Sequence, residues 1–197
     1  MVFVDGENLT TRFESMKTEG RNVQEGRQIG GVPGYGQGFT PVTHEAALFV
    51  WSEATVRDLP EGEELVRAHY YSTFAGALNE MAGFEQKLAS LRASRITDTW
   101  PQDTVRLIPR IFHKPSRRTK TKSVDINLCV DVLDYVQRDA LDSVFLVTGD
   151  VDYLPLLASV MKAGKRAYVA ALSSGLSEPL RYATDRFISL DKVYFST

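Results

Sequence analysis

Residues 143–152 read Ser143-Val144-Phe145-Leu146-Val147-Thr148-Gly149-Asp150-Val151-Asp152. An apolar β-rich run stops at a glycine and an aspartate. A helical pattern over 152–163 follows and ends at Gly164, a natural C-terminal cap. A buried strand feeding a helix is the repeating unit of a parallel α/β sheet. Upstream, Val2-Phe3-Val4 runs into Asp5, and Leu9, Phe13 and Met16 follow at helical spacing. Further strands are expected at 65–72, 105–113, 166–172 and 187–190, and helices at 78–94, 124–137 and 176–184. The helix over 124–137 is apolar almost all round, which predicts burial. Pro109 cannot donate to a ladder, so its strand should lie at an edge or break there. Residues 44–58 read equally as a helix from Thr43 or as a strand over 47–51. Seven glycines within 20–38 predict a mobile loop, extending to about residue 43. With no repeat or linker visible, residues 1–197 are expected to form one domain.

The balance is that of an ordinary globular chain, 43% hydrophobic and 24% charged, which excludes wholesale disorder. A single cysteine, Cys129, excludes an internal disulfide framework and multi-cysteine zinc sites. His44, His69 and His113 form no metal motif. No apolar run approaches the roughly 18 residues of a membrane span, and the N-terminus lacks the features of a secretory signal. A cytoplasmic location without membrane contact is therefore expected. The net charge of −2 hides an uneven distribution. Residues 114–122 hold five basic side chains, Lys114, Arg117, Arg118, Lys120 and Lys122, and no acidic one. This segment is the expected phosphate-binding surface.

Aspartates stand where elements begin or end. Asp5 and Asp150 each follow a strand, Asp152 opens the next helix, and Asp125 opens the helix after the basic segment. In a parallel sheet the strand C-termini share one edge, outside which ligands bind. An aspartate at a helix start is often only a cap. Four on one edge repel, and need a cation, protons or solvent. Oxygen ligands without histidine or cysteine select Mg²⁺ or Mn²⁺.

Phe3-Val4-Asp5-Gly6-Glu7-Asn8-Leu9, Lys122-Ser123-Val124-Asp125 with Asp131, and Val147-Thr148-Gly149-Asp150-Val151-Asp152-Tyr153 with Pro155-Leu156 resemble, in order, the motifs of the NYN domain. Gly164-Lys165-Arg166 and Ala183-Thr184-Asp185-Arg186-Phe187-Ile188 resemble its C-terminal part. NYN domains belong to the PIN-like nuclease superfamily. The resemblance implies a Rossmann-like three-layer α/β/α sandwich with a mainly parallel sheet, and metal-dependent RNA cleavage. Asp5, Asn8, Asp125, Asp150 and Asp152 match the family's acidic positions and its companion asparagine, and Lys122 its lysine. Thr148, Tyr153 and Ser123 replace serine, phenylalanine and glycine of the family pattern. The Gly-rich stretch is a larger departure.

Asp5, Asp125 and Asp150 are expected to hold Mg²⁺ or Mn²⁺, directly or through water. Asp152 is either a further ligand or a base orienting the attacking water. The Asn8 amide would hold a carboxylate, a metal-bound water or a phosphate, or serve only as a cap. Glu7 is expected to face solvent, and Tyr70 and Tyr71 either pack in the core or stack on bases. Trp51, Trp100 and Cys129 read as structural. The expected function is a metal-dependent ribonuclease acting on single-stranded or structured RNA. The alternatives are a non-catalytic or partner-gated RNA-binding module, with a protein partner or homodimer, and a phosphatase of the haloacid dehalogenase type. The phosphatase would need an aspartate where Glu7 stands.

Overall fold

The structure, a computed structural model, describes residues 1–24, 41–96, 101–116, 118–119 and 121–196. Most of the expected Gly-rich loop falls outside these residues, as do Trp100, Arg117, Lys120 and Thr197. In chain order the elements are β1 (Val2–Asp5), α1 (Gly6–Thr18), β2 (Thr43–Glu45), β3 (Phe49–Trp51), β4 (Ala68–Phe74), α2 (Leu78–Ser90), β5 (Arg92–Ile96) and β6 (Pro101–His113). There follow α3 (Ser123–Gln137), β7 (Ser143–Val147), α4 (Leu154–Lys162), β8 (Arg166–Ala171), α5 (Glu178–Tyr182), β9 (Arg186–Ser189) and α6 (Asp191–Tyr194). Short 3₁₀ turns cover Glu53–Val56 and Val151–Tyr153.

Seven strands form one sheet in the order β5-β6-β4-β1-β7-β8-β9, and only β5 runs antiparallel to its neighbour. β1 is fully buried, so alternate side chains feed opposite cores. Val2 and Val4 join Leu9, Phe13 and Met16 of α1, with Phe84 and Leu88 of α2 and Val193 of α6. Phe3 joins Val124, Leu128 and Val132 of α3, with Leu156 and Val160 of α4 and Leu180 of α5. The result is a three-layer α/β/α sandwich. Among the described residues no helix is long and apolar enough to cross a membrane.

Three readings change. The helix α3 is not buried all round: Ile126 and Val130 are more than half exposed, because only its Val124-Leu128-Val132-Val136 stripe meets the sheet. Residues 43–51 are neither a helix nor a lone strand but the antiparallel pair β2–β3. Pro109 lies in a strand second from the edge. β5 pairs with β6 only as far as Arg106, and Leu107 N–H bonds Leu91 C=O, so Pro109 sits beyond that cover, beside β4 alone. The missing donor thus falls where no outer strand needs it.

Candidate active site

The strand order reverses at β1. From β1 the chain builds outward through β4 and β6, and from β7 it builds the other way through β8 and β9. The carboxyl ends of β1 and β7 flank this switch point, the place where open α/β sheets form a crevice. Asp5 and Thr148-Gly149-Asp150 occupy those ends.

Hydrogen bonds lock the two ends together. Asp5 caps α1, with Oδ1 accepting the Asn8 N–H at 3.0 Å and Oδ2 accepting the Thr148 hydroxyl at 3.1 Å. Thr148 Oγ1 accepts the Asp150 N–H at 3.2 Å, and Asn8 Oδ1 accepts the Gly149 N–H at 3.1 Å. The oxygen of the Asn8 amide is therefore committed to the β7 turn. Gly149 lets this turn close: an added Cβ would stand 3.3 Å from the Gly175 carbonyl oxygen. Asp150 caps the 3₁₀ turn by accepting the Asp152 N–H at 3.0 Å. The cap reading thus holds for Asp5 and Asp150, while both keep lone pairs for a further partner.

The other wall comes from α3. Asp125 accepts the Tyr153 hydroxyl at 3.3 Å, and Lys122 Nζ lies 3.1 Å from both Asp125 Oδ2 and Asp152 Oδ2. Tyr153, which stands where the family pattern has phenylalanine, adds a donor to an acidic group. Asp152 is mostly exposed, whereas Asp5 is 3% exposed.

These residues border a cleft of about 520 Å³, lined by Asp5, Asn8, Asp125 and Asp150 with Lys114, Arg118 and Lys122. Glu7 and Arg12 line it too. Glu7 does not simply face solvent: it takes the Lys114 ammonium at 3.0 Å and the Thr73 hydroxyl. Arg12, one helical turn past Asn8, lays its guanidinium over Gly175, where an added Cβ would lie 2.1 Å from Cζ. Its Nε is buried without a hydrogen-bond partner among the described residues. Sequence reasoning passed over Arg12 because the partner that seats it is 163 residues away. Tyr70 and Tyr71 are wholly buried and unavailable to bases. Asp131 is held by Tyr71 at 2.8 Å and pairs with Arg110.

Burial pushes the Asp5 pKa up to about 7; the Asn8 N–H and the Thr148 hydroxyl pull it down, Asp125 and Glu7 push it up, and burial outweighs the rest. Such an acid would be restored to its charged form by a nearby cation. Lys122 is shifted up by Asp152 and Asp125, and Tyr153 is shifted up by burial and by Asp5 and Asp125, so its hydroxyl stays a donor. Among the described residues no three carboxylate, imidazole or thiol groups converge around one point. Mg²⁺ commonly takes one or two carboxylates and keeps several waters. The all-oxygen donors on the cleft wall and the uncompensated Asp5 fit an ion of that kind.

The NYN domain model matches residues 1–191. The chain belongs to the NYN domain family. This is a PIN-like nuclease-type domain, and the sandwich described above is PIN-like. No curated protein matches the chain. Its fold is similar to the crystal structure of a protein of unknown function from Vibrio parahaemolyticus, with a TM-score of 0.58. The two are 14% identical, over 99% of this chain and 94% of that one. At this identity the likeness concerns the fold. Within the NYN domain described here, the motif positions Asp5, Asn8, Asp125 and Asp150 lie around one cleft.

Proposed function

We propose that this NYN domain is a ribonuclease that hydrolyses RNA phosphodiester bonds with Mg²⁺ or Mn²⁺. The observation that carries the reading is the buried Asp5, its pKa raised to about 7, in a cleft that also holds Asp125 and Asp150 beside Lys114, Arg118 and Lys122. Such a cleft sets carboxylates beside basic side chains, as a polyanion meeting a bound dication requires. Asp5, Asp125 and Asp150 would hold the ion, directly or through its bound waters, with Asp152 either a further ligand or the group that orients the attacking water. When bound, the ion activates water and offsets charge on the phosphate.

The chain's own groups do the rest. The Thr148 hydroxyl and the Asn8 N–H orient the Asp5 carboxylate, and Tyr153 orients Asp125. Lys122 lies beside the two acidic groups and within the basic segment, so it can move from carboxylate to phosphate. Asp152, exposed and paired with Lys122 among the described residues, is then placed to orient water or accept its proton. Arg117 and Lys120 belong to the same basic segment and extend the RNA contact.

One observation favours a second reading. Lys122 already neutralises Asp125 and Asp152, which a non-catalytic RNA-binding module would need. A single experiment separates them: single-stranded RNA is incubated with the protein in EDTA, then with Mg²⁺ or Mn²⁺ restored. The ribonuclease reading expects cleavage only after restoration, and Mn²⁺ density among Asp5, Asp125 and Asp150 in soaked crystals. RNA binding without cleavage in either metal would favour the module.

A further inference from the structure

A second cavity, of about 350 Å³, opens beside the acidic cleft and shares Glu7, Thr11 and Lys114 with it. One face of α1 forms its floor, with Glu7, Thr10, Thr11 and Glu14 at positions i, i+3, i+4 and i+7. The β2–β3 turn supplies Leu48, and the end of β4 supplies Thr73. Nothing in the proposed cleavage uses this space. Its volume is at the small end for ligand pockets, and its walls combine apolar surface with carboxylates.

Glu14 marks what the pocket takes. Its Oε1 is buried and has no hydrogen-bond partner among the described residues. Buried acceptors are normally paired, so an unpaired one that lines a cavity implies a donor from a ligand. The second carboxylate, Glu7, is already tied to Thr73 and to Lys114. Lys114, paired to Glu7, therefore lines both the cavity and the cleft.

We propose that this cavity is a base pocket for guanine, on the nucleotide next to the phosphate held in the cleft; the assignment rests on the ribonuclease reading. A carboxylate presents two acceptors side by side. The guanine N1–H and N2–H₂ are the matching pair of adjacent donors. Adenine and cytosine place an acceptor nitrogen next to their amine, and uracil flanks its one N–H with two carbonyls. Each of these sets an acceptor against Glu14, and sites built on such pairing reject the mismatched partner strongly. Leu48 supplies apolar surface for the ring, in keeping with the recognition of unstacked bases in single strands.

The test uses the full chain without metal. Binding of guanosine, adenosine, cytidine and uridine 5′-monophosphates is measured by calorimetry for the parent, Glu14→Gln and Glu14→Asp. Circular dichroism melting checks that each variant is folded. Guanosine monophosphate should bind the parent at least about tenfold more tightly than the others. Glu14→Gln, which turns one acceptor into a donor, should bring the four within about twofold. Glu14→Asp, which keeps the charge but withdraws it by one methylene, should lose part of the preference. Equal binding of all four by the parent, or a preference untouched by both variants, overturns the pocket. A preference for another base overturns the guanine assignment. Mapping cuts in mixed-sequence RNA with Mn²⁺ separates the two readings. Cleavage without base preference sinks the pocket alone, and guanine-selective binding without cleavage sinks the ribonuclease alone.

Discussion

Asp150 has one carboxylate oxygen engaged by the Asp152 N–H, a cap bond that asparagine makes equally well. Asp150→Asn should therefore melt near the parent temperature and still bind RNA, since the basic segment is untouched. Cleavage should fall by orders of magnitude, because a hard dication loses one of its charged ligands. Parallel measurements of melting, binding and Mn²⁺-dependent cleavage check this, and parental turnover in the variant would remove Asp150 from the chemistry. The positions of Asp5 and Asp150 were readable because each follows an apolar run, and that of Asp125 because it opens a helix after the basic segment. Arg12 and Glu7 were not, since their partners Gly175, Thr73 and Lys114 reach them only through the tertiary fold. Gly175→Ala tests the first of these contacts. Gly175 has φ +67 and no room for a Cβ under the Arg12 guanidinium. The variant should lose about 1–2 kcal/mol from backbone strain alone. It should also bind RNA more weakly as Arg12 is pushed aside, and unchanged binding would show that Arg12 does not touch the substrate.

At the scale of elements, legibility followed burial. β1, β7 and β8 were plain because they are buried on both faces and read as unbroken apolar runs. The helix expected over 78–94 stops at Ser90, and β5 was missed because Arg92-Ala93-Ser94-Arg95-Ile96 is an edge strand with little apolar signal; α6 was missed because four residues are too few to show a period. The exposure of Ile126 and Val130 could not be foreseen, since composition does not say which side of α3 meets the sheet. Between α3, β1 and β4 lies His69, stacked on Phe3 at 5.4 Å and tilted against Tyr135 at 5.6 Å. Burial lowers its pKa to about 4, opposed chiefly by Asp131 and helped by Arg110, Arg67 and the N-terminal ammonium. The unfolded chain takes up a proton there below about pH 6.5 while the folded one does not. His69 thus subtracts stability as the pH falls from about 6.5 toward 4, reaching about 2 kcal/mol at pH 5. His69→Phe keeps a ring between Phe3 and Tyr135 without the titration. Its melting temperature relative to the parent should rise steadily as the buffer is taken from pH 7 to pH 5. A constant difference across that range would mean that His69 titrates alike in the folded and unfolded chain.

For the whole molecule, charge is segregated: one basic segment over 114–122 lies on a body with an excess of acidic residues. Replacing Arg117, Arg118 and Lys120 with glutamine should weaken RNA binding and flatten its dependence on salt. If all three touch phosphates of a single strand, the log–log slope should drop by about 2, at roughly 0.7 per contact. A slope that stays put would leave the segment a solvated loop. The sheet order carries a different consequence, one of timing. β1 lies between β4 and β7, yet its partner Phe145 in β7 pairs with Val2, 143 residues earlier. At about 5–20 residues per second, a ribosome needs roughly 7–30 s to make the chain between them. Through that interval Val2-Phe3-Val4 has one unsatisfied hydrogen-bonding edge, the kind that invites pairing with another nascent chain. Asp5 meanwhile waits without Thr148, and Asn8 without Gly149. The cleft is therefore among the last parts of the molecule to exist, and a chain released early is left without it, whatever else it has managed to fold.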